Sequence, residues 1–164
     1  MLIRRINTND AEKFLKMLKK LDTETKFMMY EPGERKTTID ELKKKIKDIF
    51  GSKSILLIAE DSENIVGFIS AERGFANRIK HSAYIVIGVL NSHSGRGIGT
   101  KLLEQIEKWA IENNIIRLEL TVMTHNINGI KLYEKMGFKK EGTKVKSHII
   151  DGEYIDEYYM AKIL

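Results

Sequence analysis

Residues Ser94 to Leu103 read Ser-Gly-Arg-Gly-Ile-Gly-Thr-Lys-Leu-Leu. The glycines Gly95, Gly97 and Gly99 follow an apolar run, Ala83 to Leu90, and lead into a helical pattern. Glycines remove the side chains that would keep a bulky anion off the backbone. The helix N-terminus behind them offers unpaired N–H groups and the positive end of a dipole. Strand, glycine turn and helix together make a cradle for a pyrophosphate. A P-loop needs four residues between its glycines and a Gly-Lys-Ser/Thr ending. The order here is Gly99-Thr100-Lys101, so a P-loop is excluded. A dinucleotide-binding turn needs G-x-G-x-x-G with an acidic residue about 20 positions on. Glu119 stands near that distance, but the glycines are spaced G-x-G-x-G and Thr100 follows.

A second stretch with chemical content is Val122 to Phe138, Val-Met-Thr-His-Asn-Ile-Asn-Gly-Ile-Lys-Leu-Tyr-Glu-Lys-Met-Gly-Phe. Asn126, Ile130 and Tyr133 are four and three residues apart, so a helix puts them on one face. A tyrosine of pKa roughly 10 stays protonated at neutral pH, above a thiol at roughly 8.5, and can act as an acid.

The two stretches in this order resemble the GNAT family of N-acetyltransferases. Ser94 to Thr100 is similar to its motif A, R/Q-x-x-G-x-G/A before a helix, which holds the pyrophosphate of coenzyme A. Val122 to Phe138 is similar to its motif B, N-x-x-A-x-x-L-Y-x-K-x-G-F, with Asn126, Leu132, Tyr133, Lys135, Gly137 and Phe138 matching. Ser94 departs from the usual Arg or Gln, and Gly129 from the usual Ala. Gly142-Thr143 through Asp151-Gly152-Glu153 to Met160 is also typical of members, so the resemblance covers most of the chain.

The resemblance implies an α/β (α+β) fold: a mixed central sheet of about seven strands, flanked by about four helices, with its central parallel strands splayed. It implies acetyl-coenzyme A as acyl donor, no metal, and a primary amine of a small molecule or amino acid as acceptor, attacked directly in a ternary complex. The donor site would comprise Ile87, Val89 and Leu90 on the exposed edge of a splayed strand, and Ser94, Gly95, Arg96, Gly97, Ile98, Gly99, Thr100 and Lys101 at the pyrophosphate. Asn126 and Tyr133 would complete it. The Val89 N–H would face the thioester oxygen, and Tyr133 would protonate the leaving thiolate. Many members carry a glutamate on the central strand as general base, but Ala83 to Leu90 has none. Glu72, near the end of the preceding strand, is the acidic alternative, and Glu119 reads as structural. Phe27, Met28, Tyr30 and Glu31 would line the acceptor pocket, with Met29 in the same cluster. Many relatives pair through their C-terminal strands, so the resemblance admits a homodimer and leaves the oligomeric state open. A protein N-terminal acetyltransferase, a non-catalytic acyl-coenzyme A-binding module and, more distantly, a Rossmann-type oxidoreductase remain as competing readings.

These residues need a scaffold, and 164 residues suffice for one domain, 1–164, with a substantial core. Hydrophobic residues make up 42% and charged residues 31%. The absence of cysteine excludes disulfides, thiolate metal sites and a cysteine nucleophile. No signal peptide or membrane-spanning run is visible, so a cytoplasmic protein without membrane contact is expected. Net charge is +5, but Lys43, Lys44, Lys45 and Lys47 share a helix with Ile39, Leu42, Ile46 and Ile49. That is amphipathic patterning without interleaved aromatics, so no nucleic acid partner is expected. The four histidines, His81, His93, His125 and His148, lack metal-ligand spacing and read as surface or locally bonded groups.

The expected elements are a strand at 2–6, a helix at 10–22, an irregular segment broken at Pro32-Gly33, and a helix opened by the capping box Thr38-Ile39-Asp40-Glu41. Strands follow at 54–60, 65–73 and 80–90, then a helix ended by Asn113-Asn114 and a strand at 115–122. A helix at 126–136 and two strands joined at Asp151-Gly152 complete the chain.

Overall fold

Alternation of buried and exposed side chains, with short turns, folds the chain into one seven-stranded sheet with two helices on each face. The computed structural model describes residues 1–164. The strands are β1 (Leu2–Arg5), β2 (Ile55–Asp61), β3 (Asn64–Arg73), β4 (Ser82–Val89), β5 (Arg117–Met123), β6 (Lys139–Ile150) and β7 (Glu153–Ile163). The helices are α1 (Ala11–Glu24), α2 (Ile39–Gly51), α3 (Ile98–Glu112) and α4 (Ile127–Lys135). Sheet order is β1-β2-β3-β4-β5-β7-β6, with β4–β5 parallel and the other neighbours antiparallel.

The core is divided by the sheet. On one side Leu102, Leu103, Ile106 and Trp109 of α3 pack on Ile85, Leu118, Leu120 and Met160, with Tyr133 of α4 in the same cluster. On the other, Phe14, Leu18 and Leu21 of α1 and Leu42 and Ile46 of α2 pack on Ile58 and Phe68. A strand puts successive side chains on opposite faces. Ala83 and Ile85 therefore face α3, while Tyr84, Val86 and Gly88 face α1.

Local signals hold where expected. Thr38 Oγ1 accepts from the Glu41 N–H at 3.2 Å and Glu41 Oε2 accepts from the Thr38 N–H at 2.8 Å, closing the capping box of α2. Asp151 (φ 51°) and Gly152 (φ 81°) form the tight β6–β7 turn, both left-handed as such hairpins require. β5 begins two residues later than expected. Asn114, at φ 58°, reverses the chain after α3, and the Ile115 N–H bonds back to Ala110 O at 2.9 Å. No helix is long and apolar enough to cross a membrane.

Candidate active site

The site begins where the sheet stops being a sheet. β4 and β5 pair only at Ser82–Arg117, Ala83–Leu118 and Tyr84–Glu119, and separate beyond. The Leu90 N–H bonds Val66 O (2.9 Å) and the Gly74 N–H bonds Ser82 O (3.0 Å). Antiparallel ladders alternate, so the N–H and C=O of Ile85, Ile87 and Val89 point away from β3, into the gap. A cleft of about 1060 Å³ runs through this gap and reaches both faces of the sheet.

On the α3–α4 face lies the glycine turn. Gly95 and Gly97 are both at φ 74°, where a side chain is strained. Gly97 is the N-cap of α3, which has no side-chain cap. None of the backbone N–H groups from Gly95 through Thr100 donates to a protein acceptor. Such a row of unpaired donors at a helix N-terminus suits a polyphosphate. Gly99 differs from the other two. A Cβ there would lie 2.8 Å from Leu132 Cδ2, so this glycine lets α4 pack against α3.

Helix α4 supplies the next two groups. Asn126 caps it, its Oδ1 accepting from the Gly129 N–H at 3.0 Å. A Cβ on Gly129 would come within 2.7 Å of the Asn126 amide, so glycine at this position lets the asparagine fold back onto the helix. Tyr133 is buried among Phe138 and the core, its ring centroid 5.9 Å from that of Phe138. Its hydroxyl has no hydrogen bond in the protein, and the residue lines the cleft. Burial pushes its pKa above the ordinary tyrosine value, with a smaller contribution from Tyr84.

The opposite face has a floor and an apolar wall. Tyr84 and Thr121 join β4 to β5 through their hydroxyls, 2.8 Å apart. Phe27, Met28 and Met29, from the segment after α1, form the wall, and Phe27 lies against His125 with centroids 5.1 Å apart. Glu24, Lys26, Lys144, His148 and Glu157 complete this side.

Of the residues expected from the sequence, Ile87, Val89, Ser94, Gly95, Gly97, Ile98, Gly99, Thr100, Asn126, Tyr133, Phe27 and Met28 line this one cleft. Six do not. Leu90 is buried beside α1 and α2. Arg96 and Lys101 are exposed outside the lining, leaving only their backbone at the turn. Tyr30 stacks under Arg35 (4.6 Å), which is itself bonded to Asp22 at 2.8 and 2.9 Å. Glu31 lies in an exposed turn with Glu34. Glu72 is exposed opposite Tyr84, with all of β4 between it and the gap. Glu119 is held by Arg117 Nε at 2.7 Å. Sequence reasoning gave no role to the histidines, yet His93, His125 and His148 line the cleft, and it missed Glu157 entirely. Glu157 did leave a signal: it shares strand parity with the inward Ala161 of β7.

Residues 15–138 match the model of the acetyltransferase (GNAT) family. The L-amino acid N-acetyltransferase AaaT of Escherichia coli (strain K12) is 36% identical over 65% of this chain and 67% of its own length. The spermidine N(1)-acetyltransferase of Vibrio cholerae is 27% identical over 87% of this chain and 83% of its own. The crystal structure of a GNAT-family acetyltransferase from Streptococcus pneumoniae superposes with a TM-score of 0.95 at 29% identity, covering 99% of this chain and 98% of that one. This chain belongs to the acetyltransferase (GNAT) family, enzymes that transfer an acyl group from acetyl-coenzyme A to an amine.

Proposed function

We propose that the cleft takes acetyl-coenzyme A from the α3–α4 face and the α-amine of a small apolar amino acid from the α1–α2 face, and that the amine attacks directly while both are bound. The observation that carries this reading is the row of unpaired amides from Gly95 to Thr100 opening on the same cleft as the unbonded hydroxyl of Tyr133. Acetyl-coenzyme A supplies the acyl group as a thioester with a thiol leaving group. The amides from Gly95 to Thr100 hold its pyrophosphate, and the gap-facing edge of Ile87 and Val89 satisfies the amides of its arm. The Val89 N–H donates to the carbonyl oxygen as negative charge builds there. Tyr133 donates its proton to the sulfur as the C–S bond breaks. Its raised pKa keeps it protonated throughout the neutral range, so the donor is present in every encounter. With no cysteine in the chain, a cysteine-bound acyl intermediate is excluded.

The acceptor follows from the other wall. AaaT is named for amino acids and the Vibrio relative for spermidine. Here the wall is apolar, and one carboxylate, Glu157, receives no hydrogen bond from the protein. The second, Glu24, already accepts the Asn91 N–H at 2.8 Å. One free carboxylate suits one ammonium, and Lys144 beside it suits the carboxylate of an amino acid; a polyamine would leave further cations unmatched. A peptide N-terminus is the second reading, favoured by Met29, which is 76% exposed at the wall and extends the apolar surface.

The test is thiol release from acetyl-coenzyme A with four separate pools: apolar amino acids, short peptides, polyamines and aminoglycosides. Release with the first pool is expected. Release with polyamines alone would overturn the acceptor assignment. Tight cofactor binding with no release from any pool would favour a non-catalytic acyl-coenzyme A-binding module.

A further inference from the structure

We infer that Glu157 is the catalytic base, the carboxylate that takes the proton of the acceptor amine. The inference rests on the acetyl-transfer reading above and goes beyond it in naming the base, for which the central strand offers no glutamate.

Three carboxylates are buried in this chain: Asp10, Asp22 and Glu157. Two are matched to guanidinium groups. Asp10 takes Arg4 at 2.8 and 2.9 Å, and Asp22 takes Arg35 at the same distances. Glu157, only 6% exposed, has no such partner. No protein group donates a hydrogen bond to it, and the His148 ring stands beside it with Nδ1 at 3.3 Å, that nitrogen being bonded to Ser147 Oγ at 3.2 Å. A buried carboxylate without donors is costly unless a ligand completes it. Neither of its oxygens is fully buried, since no fully buried side-chain oxygen in the protein lacks a partner, and the residue lines the cleft.

Its position was built by a local irregularity. On β7, Glu157 lies opposite Met123 at the separated end of β5 and opposite Lys144 of β6. Between Lys144 and His148 the β6 register slips, so that Val145, Lys146 and Ser147 together face Asp156 alone. Lys146 is left-handed (φ 53°), and its N–H bonds Asp156 Oδ1 at 2.7 Å. Bulges of this kind re-aim side chains. This one returns His148 to the face of Glu157 and brings its ring to the carboxylate.

Strand parity puts Glu157 on the α1–α2 face, because its neighbours Tyr158 and Met160 pack toward α3. Tyr133 enters the cleft from the other face. Base and acid therefore stand on the acceptor and donor sides of one gap. The proton balance follows. The amine nitrogen bonds the carbonyl carbon, the C–S bond breaks, the N–H proton passes to Glu157, and the Tyr133 proton passes to sulfur. Afterwards Glu157 loses its proton to solvent and Tyr133 regains one. Competing carboxylates are committed elsewhere: Glu24 to Asn91, Glu119 to Arg117, and Glu72 outside the cleft. The titratable groups sharing the acceptor side with Glu157 are His148 and Lys144 of β6, Tyr84 of β4, Glu24 of α1, Lys26 after α1 and His125 after β5.

The experiment compares wild type, Glu157→Gln and Glu157→Asp. With an accepted amine, Glu157→Gln should lower kcat by ~10²–10⁴-fold, the range for a lost general base. Coenzyme A affinity should be unchanged, and the loss should shrink as pH rises and the free amine deprotonates unaided. Glu157→Asp, which keeps the charge but retracts it, should fall between. A readout independent of turnover uses the coenzyme A-loaded protein and calorimetry. Wild type should prefer an amino acid over the matching hydroxy acid by about tenfold, as expected when a charge pair is removed, and Glu157→Gln should lose that preference. Wild-type kcat in both variants, or a preserved preference in Glu157→Gln, overturns the assignment while leaving acetyl transfer standing. A wild type that releases no thiol with any amine overturns both.

Discussion

At the scale of single residues, chemistry is concentrated in groups that the fold leaves unsatisfied. Tyr133 has a buried ring and an unbonded hydroxyl, and burial raises its pKa. Tyr133→Phe keeps the ring packing against Phe138 and removes only the hydroxyl. It should lower kcat by ~10²–10⁴-fold with coenzyme A affinity unchanged, the signature of a lost general acid; calorimetry and thiol release together check it. Because the ionised form is disfavoured, no alkaline loss of kcat from Tyr133 should appear below about pH 10. Gly97 offers a second test. At φ 74° it caps α3, so Gly97→Val strains the turn and places a branched side chain over the free amides. Coenzyme A binding should be abolished in calorimetry, and normal affinity would refute the cradle. These residues were legible in the sequence because each belongs to a contiguous run. Glu157 was not, since its meaning depends on what fails to bond it, and three strands from different parts of the chain decide that. Gly99 was legible as part of the turn, but its second service, making room for Leu132, was not, because that neighbour lies on another helix.

At the scale of elements, two irregularities make the site: the parting of β4 from β5 and the slipped register of β6. The first was expected only through the family resemblance and the second not at all, because both are failures of pairing between distant segments. Regular elements, by contrast, were readable from periodicity, as Ala11, Phe14, Leu15, Leu18 and Leu21 show by all turning inward on α1. The segment after α1 has no period, so its residues could be grouped but not sorted. Phe27 and Met28 reached the cleft, while Tyr30 went to Arg35. The contact of α3 with α4 is testable through Gly99. Gly99→Ala pushes the end of the flexible Leu132 side chain aside, an overpacking cost of about 1 kcal/mol that the helix propensity of alanine over glycine offsets by a similar amount. Leu132→Ala in the same chain should relieve that cost, so the two changes should be non-additive in thermal unfolding. Additive losses would mean the two side chains do not meet.

At the scale of the whole molecule, two groups with shifted pKa values tie stability to pH. Asp10 has its pKa lowered, chiefly by the Arg4 hydrogen bond. A folded carboxylate held below its unfolded value near 3.9 contributes stability above that pH, lost as pH falls through the folded value. Tyr133 works at the other end. Its raised folded pKa means the unfolded chain ionises first near pH 10, so stability should fall as pH climbs beyond that. Denaturant titrations across pH should show acid loss weakened in Arg4→Ala and alkaline loss weakened in Tyr133→Phe. The net charge of +5 also favours encounter with a polyanionic donor, so the association rate of coenzyme A should decline as salt shortens the Debye length below about 10 Å. In the proposed function the sheet acts as a whole: its gap would admit the donor from one face and the acceptor from the other, both at once. Initial rates with acetyl-coenzyme A and an accepted amine varied together test it most directly. Double-reciprocal lines that intersect are the predicted result, because both substrates must be bound before the bond changes. Parallel lines would mean that the acyl group leaves its carrier before the amine arrives, and would contradict the account.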